Sequence, residues 1–160
     1  MFWQGRGWDR IEPWWLAWPG TSAWDTKSRR PCYEAAAEEG VDPALGFALV
    51  DAESGFDGGK VSGGGTIGFA QVLPATAAAL QPDVEAGDLL DPRVNLRVGF
   101  RLLRRLLQAF SGDTARAVQA YHVGPRRAVA GAWSAEVQRY VESLLAAARS
   151  ARWGYVQGLD

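Results

Sequence analysis

The sequence predicts an α+β fold that is mainly α-helical and forms a single domain, and three observations lead to that prediction. The chain has 160 residues, of which 48% are apolar, so it is long enough to bury a core without disulfides or metals. Helix start signals recur along the chain and are followed by apolar residues at helical spacing. One stretch, residues 58–65, is rich in glycine and predicts a loop or a short β-hairpin between helices.

The chain begins with a tryptophan-rich leader, residues 1–30, which precedes a helical body over residues 31–160. Six of the eight tryptophans lie in the leader. Their indoles either pack on the body, which is the usual fate of large aromatic side chains, or form a surface that stacks on sugar rings or touches a membrane. The apolar cluster of residues 14–18 is too short for a transmembrane segment or a signal-peptide core, so we predict neither.

Each predicted helix of the body begins at a recognisable signal. Asp42 followed by Pro43 is an N-cap and first-turn pair, and it predicts a helix that ends near Ser54 and Gly55. Asp91, again followed by a proline, predicts the longest amphipathic helix, with apolar residues on one face and arginines on the other. Further helices are predicted to begin at Pro74, Asp113 and Ser134.

Composition and charge argue against several kinds of function. The net charge is −1, so the chain has no excess of basic residues for binding nucleic acid. Cys32 is the only cysteine and His122 the only histidine, which excludes an internal disulfide and argues against a zinc site. We therefore predict no metal, no cofactor and no nucleic-acid partner.

Glu53 has the local surroundings that a general acid needs. Cleavage of a glycosidic bond requires a carboxylic acid that keeps its proton near neutral pH. Glu53 follows the apolar stretch of residues 44–50 and stands at the carboxyl end of its predicted helix. Burial and the unpaired carbonyl groups of a helix end both raise the pKa of a carboxyl group. On these local features alone, a solvated glutamate at a helix end is the more frequent case.

Motifs that begin at Glu53 strengthen the hypothesis that Glu53 is a general acid. From Glu53 the chain reads ESGFDGGKVSGGGTIGFAQVLPATA, and later it reads DPRVNLRVGFRLL, AYHVGPRRAV and VQRYVESLL. In this order the motifs resemble the ES-G-F-N-P, G-L-M-Q-x-x-P-x-T-A, D-P-x-x-N-I-x-x-G, A-Y-N-A-G-P and E-T-x-x-Y-V patterns of the soluble lytic transglycosylase domain. The resemblance covers residues 32–148. It implies a lysozyme-like single domain whose glycine-rich loop or short β-hairpin lies beside the active-site cleft.

The resemblance also implies roles for individual residues. Glu53 matches the catalytic acid and base of the family. Gly65 and Gly68 match glycines that bend the chain under the cleft, where backbone can approach a sugar closely. The residues that match cleft positions, and that we predict to bind substrate, are Ser54, Gly68, Gln71, Tyr121, His122 and Tyr140.

Some of these residues also have a structural interpretation. The rings of Tyr121 and Tyr140 can pack in the core, which is compatible with a hydroxyl that reaches the site. Gln71 either donates to substrate or only ties loop backbone together. Asn95, in the third motif, is predicted to be structural.

Three positions depart from the family pattern. Ala70 replaces a methionine, which predicts a wider sugar pocket. His122 replaces an asparagine and contacts either substrate or neighbouring backbone, since a neutral imidazole can donate and accept hydrogen bonds as an amide does. Asp57 replaces an asparagine and is a second carboxylate that can approach the cleft.

The implied function is lytic transglycosylase activity on peptidoglycan, with Glu53 as acid and then base and with 1,6-anhydromuramoyl ends as the product. One alternative is a lysozyme-like hydrolase, or endolysin, in which a water is positioned by Asp57 or by Asp51, although Asp51 points to a different side of the helix. Another alternative is an inactive wall-binding or structural component of a phage tail or secretion machine.

The expected partner is the peptidoglycan glycan strand, and the expected state is a monomer that acts at the bacterial cell wall. Since no signal peptide is predicted, we expect phage delivery, export by another route, or a chain whose export signal was removed. The choice between a phage and a bacterial origin stays open, as does the cross-link preference.

Overall fold

The computed structural model of the chain describes residues 26–131 and 133–157. Within those ranges the fold is built almost entirely from helices. In chain order they are α1 (Thr26–Glu39), α2 (Pro43–Ser54), α3 (Pro74–Leu80), the 3-10 helix η1 (Gly87–Leu90), α4 (Pro92–Ala109), α5 (Thr114–Val123), α6 (Pro125–Val129) and α7 (Ala135–Gln157). The prediction of a mainly helical domain is confirmed.

The glycine-rich segment between α2 and α3 is a loop. In the described part of the chain its strand-like features are two isolated antiparallel bridges, which pair Ile67 with Val61 and with Val72. The short β-hairpin, one of the two predicted forms of this segment, is therefore not confirmed.

The predicted caps explain where four of the helices begin. The Asp42 carboxylate accepts a hydrogen bond from the Ala44 backbone N–H at 2.9 Å, and the Asp91 carboxylate accepts one from the Arg93 backbone at 2.8 Å. The side chains of Asp113 and Ser134 accept equivalent bonds at α5 and α7. Each cap satisfies a backbone donor that the first turn of a helix leaves unpaired.

Three helices were not predicted from the sequence: α1, the four-residue η1 and α6. α1 contains Pro31, and a proline removes a backbone donor, so it usually indicates a helix boundary. α6 has only 5 residues, which is too short for a periodic pattern.

The tryptophan-rich leader falls mostly outside the described residues. Residues 1–25 are not described, and residues 26–30 form the start of α1. The packing of residues 1–30 on the body therefore stays a prediction.

α2 is the most enclosed helix, which accounts for its nearly continuous apolar sequence. Residues 44–50 are all buried, and Phe47 belongs to the larger core cluster together with Phe100 of α4. α2 packs against α1 and α7, and α4 packs against α1 and α5. Because it is held on several sides, α2 fixes the position of its own carboxyl end next to α7.

Asn95 of α4 anchors the far end of the glycine-rich loop. Its Nδ2 donates to the Ile67 and Leu89 carbonyls at 2.7 and 2.9 Å, and its Oδ1 accepts from the Ala70 N–H at 2.8 Å. A side chain at Gly68, where φ is +78°, would place its Cβ 2.3 Å from the Asn95 amide. The structural role predicted for Asn95 is confirmed, and Gly68 is needed because the amide occupies this space.

In the described part of the chain, every helix is too short or too polar to cross a membrane.

Candidate active site

Glu53 is the penultimate residue of α2 and is half-buried where α2 meets α7. Helix α2 ends at Gly55, which adopts the left-handed conformation and turns the chain into the glycine-rich loop. From α7, the Tyr140 hydroxyl donates a hydrogen bond of 2.5 Å to Glu53 Oε1. Two predicted site residues that are 87 positions apart in the sequence are thus in direct contact.

The surroundings of Glu53 favour its protonated form. Burial raises the pKa of Glu53 above the ordinary value of 4.5. The hydrogen bond from Tyr140 partly offsets this rise, and so do the positive charges of His122 and Lys60. The net direction is upward, which is the direction that a general acid needs.

Tyr121 of α5 and Tyr140 present neutral phenols to this carboxyl group. The Tyr121 hydroxyl donates to the Ala70 carbonyl at 2.7 Å. Burial raises the pKa of both tyrosines, and the charge of Glu53 raises it further. Both hydroxyls therefore keep their protons and act as hydrogen-bond donors near Glu53.

His122 lies on the outer side of the same group of residues. Its side chain is exposed, and its ring stacks on the Tyr140 ring with 4.0 Å between centroids and 20° between planes. The structure thus places His122 against another site residue, with one face of the tyrosine ring covered.

Ser54 is buried behind Glu53. Its hydroxyl lies 2.7 Å from the Phe69 carbonyl and 3.1 Å from the Val50 carbonyl, and it accepts a bond from the Phe56 N–H. These bonds join the end of α2 to the loop. Substrate contact by Ser54 stays a prediction.

Gln71 is also buried, and its side-chain amide is fully used within the loop. Both Nε2 hydrogens are donated, to the Lys60 carbonyl at 3.1 Å and the Gly68 carbonyl at 2.9 Å. Its Oε1 accepts from the Thr66 hydroxyl at 2.7 Å. Of the two roles expected for Gln71, the geometry favours the one that ties loop backbone together, and a contact with sugar stays a prediction.

Lys60 is a member of this site that sequence reasoning missed. Its ammonium donates to the backbone carbonyl of Glu53 at 2.6 Å. One signal was available, because Lys60 stands alone among glycines seven residues after Glu53. The pattern does not show where such a side chain points, so the contact appears only in three dimensions.

The prediction of a wider sugar pocket at Ala70 is wrong. Ala70 is fully buried in the smaller core cluster with Val72 and Val98. A Cβ at Gly99 would lie 2.4 Å from the Ala70 Cβ, so the alanine packs directly on the backbone of α4. Its small size accommodates this close packing and opens no surface to sugar.

Asp57 and Asp51 are the carboxylates considered for positioning a water. Asp57 is exposed, and its carboxylate accepts from the Gly59 N–H at 2.9 Å. Asp51 lines a groove of about 310 Å³ between α2 and α7, and Tyr140 and Leu144 are among the other lining residues. The charged groups that shift the pKa of Glu53 are His122 and Lys60, not these aspartates.

Among residues 26–131 and 133–157, no cluster of three or more histidine, cysteine or acidic side chains could hold a metal ion.

Comparisons with known proteins agree on one family. The family described as "Transglycosylase SLT domain" matches residues 30–140. A protein named "Transglycosylase" from Enterobacteria phage PRD1 is 35% identical over 106 residues, which is 66% of this chain and 37% of the relative.

Two solved structures share the fold. One is an inactive mutant of the lytic transglycosylase Slt from Pseudomonas aeruginosa, with a TM-score of 0.70 and 24% identity over 77% of this chain and 23% of that chain. The other is the 70 kDa soluble lytic transglycosylase of Escherichia coli, with a TM-score of 0.70 and 21% identity over 78% of this chain and 24% of that chain. This chain thus spans a little over a third of the phage relative and about a quarter of each solved chain.

Proposed function

Because the chain belongs to the transglycosylase SLT domain family, we propose that it is a peptidoglycan lytic transglycosylase that cleaves the β-1,4 link between N-acetylmuramic acid and N-acetylglucosamine. The observation that carries this proposal is the 2.5 Å hydrogen bond between Tyr140 and a half-buried Glu53. A single carboxyl group whose pKa is raised by burial and that bonds to a neutral donor is suited to give a proton to a leaving oxygen.

In the first step, Glu53 transfers its proton to the bridging oxygen while the bond from that oxygen to the anomeric carbon of the muramoyl residue breaks. The acetamido carbonyl of the substrate shields the developing cation, so the protein needs no second carboxylate as nucleophile. This fits the position of Asp57, whose exposed side chain bonds to its own loop.

In the second step, Glu53 acts as a base. Its carboxylate takes the proton of the muramoyl 6-hydroxyl, whose oxygen bonds to the anomeric carbon and gives the 1,6-anhydro ring. Glu53 is protonated again, and no water is consumed. Between the steps the carboxylate is stabilised by the Tyr140 hydrogen bond and by the charges of His122 and Lys60.

The remaining site residues support this chemistry in two ways. Tyr121 keeps a protonated phenol close to Glu53 and fixes the Ala70 carbonyl. We assign sugar contacts to Tyr140 and His122, because His122 is exposed and stacks on the tyrosine ring beside the carboxyl group. Ser54, Gly68 and Gln71 shape the loop on which the glycan strand rests.

The test is mass spectrometry of the muropeptides released from purified sacculi by the wild-type chain and by Glu53→Gln side by side. We expect anhydro ends, which lack the mass of one water, from the wild type and no soluble fragments from Glu53→Gln. Reducing ends would replace this proposal with lysozyme-like hydrolysis. An absence of fragments from the wild type would indicate a wall-binding or structural component.

The site of action under this proposal is the bacterial cell wall, where the substrate lies. The phage relative makes delivery by a phage one route to that site.

A further inference from the structure

Lys60 contacts the backbone of Glu53, and the catalytic steps above do not require this contact. Its Nζ lies 2.6 Å from the backbone oxygen of Glu53. That oxygen belongs to the last turn of α2, where carbonyl groups lack partners within the helix and carry the negative end of the helix dipole. An ammonium group at this point acts on the residue that bears the reactive carboxyl group.

The loop holds the backbone of Lys60 in place. The Lys60 carbonyl accepts hydrogen bonds from the Gly68 N–H at 2.9 Å and from Gln71 Nε2 at 3.1 Å. Gln71 is itself held by Thr66 and by a second bond to Gly68. The side chain of Lys60 is exposed, yet its backbone is held by the buried side-chain amide of Gln71.

Because the proposed function requires Glu53 to act as acid and then base, we propose that Lys60 is a positioning residue that works through Glu53. The loop held by Gln71 directs the Lys60 ammonium group to the negative end of α2. There its positive charge stabilises the carboxylate that forms when Glu53 gives up its proton.

The groups around Glu53 differ in the charge that they bring to the carboxyl group. The Tyr140 phenol bonds to the carboxyl group, and the Tyr121 phenol is near enough for the charge of Glu53 to raise its pKa. The basic side chains that act on Glu53 are His122 from α5 and Lys60 from the loop. Histidine side chains in general lose their charge across the neutral range, whereas lysine side chains keep it. For this general reason we assign the countercharge role to Lys60 rather than to His122.

The test is the pH profile of kcat/KM for release of soluble fragments from sacculi. The decline at high pH reports the loss of the Glu53 proton in the free enzyme. In Lys60→Gln the carboxylate loses its countercharge, so we expect this decline to move to higher pH by about 0.3 unit or more. We also expect kcat to fall by about 3- to 10-fold, since the carboxylate that forms in the first step is less stable without its countercharge. Lys60→Arg keeps the charge and restores the wild-type profile.

A matched control removes the same charge elsewhere. Arg105 is exposed on α4 and is not among the groups that act on Glu53, so Arg105→Gln leaves the profile unchanged. Adding 1 M salt moves the wild-type decline towards that of Lys60→Gln, because salt screens exposed charges.

A high-pH decline that stays in place in Lys60→Gln, whatever the change in rate, would overturn the proposal. Activity retained by Glu53→Gln would instead overturn the proposed function, so the two failures are distinct.

Discussion

Two glutamates end neighbouring helices of this protein, and their partners differ. Glu39 is the last residue of α1, is 8% exposed, and receives hydrogen bonds from Arg101 of α4 on both oxygens, at 2.8 and 3.2 Å. Glu53, near the end of α2, receives one from the neutral Tyr140. A countercharge holds a buried carboxylate in its ionised form, whereas a neutral partner lets it keep a proton. The charge of the group bonded to the carboxyl oxygens, rather than burial or position on a helix, distinguishes the structural carboxylate from the reactive one.

The largest expected difference between the two glutamates is in activity. Glu53→Gln removes the transferable proton while an amide still accepts the Tyr140 hydrogen bond, so we expect turnover to fall by about 10²- to 10⁴-fold. Glu39→Gln should leave turnover per folded molecule within about twofold, because its partner Arg101 belongs to the α1–α4 contact. Fragment release from sacculi, normalised to folded protein by circular dichroism, measures both. Equal losses in the two variants would contradict the distinction.

Removal of the neutral partner should give the next largest effect. Tyr140→Phe deletes the hydrogen bond to Glu53 that stabilises the carboxylate. A bond of this charged type contributes about 1.5–3 kcal/mol, so we expect kcat to fall by about 10- to 100-fold. The same loss raises the pKa of Glu53, and the high-pH decline of kcat/KM should move to higher pH. A decline that moves to lower pH would show that the tyrosine favours the protonated form.

Removal of the charged partner should change stability rather than activity. Arg101→Met leaves Glu39 buried without its bidentate partner, and we expect a loss of about 2–3 kcal/mol after discounting for the partly exposed arginine. Arg97→Met is the matched control, because its pair with Glu38 is exposed on both sides and should contribute less than about 1 kcal/mol. Urea unfolding measures both losses. Similar values for the two variants would show that Glu39 is solvated in solution.

The smallest expected effect is a stability gain in Glu53→Gln. The folded-state pKa of Glu53 is raised, so this carboxyl group contributes stability below its unfolded pKa, and the contribution is lost as the pH rises through the folded pKa. A glutamine at position 53 does not ionise, so Glu53→Gln does not lose this stability as the pH rises. We therefore expect Glu53→Gln to melt at a higher temperature than the wild type at pH 8, with the difference disappearing near pH 4. A variant that is less stable at pH 8 would indicate a lowered pKa instead.

Local signals in the sequence predicted most of the helical framework. Asp42 and Asp91 cap helices that begin where their side-chain chemistry requires, because a cap bonds to backbone two or three residues away. The helix over Pro31 was not predictable in this way, since tertiary packing of α1 on α2 and α4 overrides the local cost of the proline.

The candidate site was predictable only in part, because its contacts are long-range. Glu53 had local support, but its link to Tyr140 spans 87 positions and was expected only through the resemblance of motifs. The use of the Gln71 amide within the loop and the reach of Lys60 to Glu53 depend on the path of the glycine-rich segment. Residues with positive φ, such as Gly68 and Gln71, set that path, and no periodic pattern encodes it.

The most direct measurement is a ¹³C NMR titration of the glutamate carboxyl carbons, with the Glu53 signal assigned by its absence in Glu53→Gln. We predict a Glu53 pKa above the ordinary 4.5 that coincides with the high-pH decline of kcat/KM for fragment release. A Glu53 carboxyl group that titrates at or below 4.5 would be ionised at neutral pH, and it could not be the proton source for breaking the glycan.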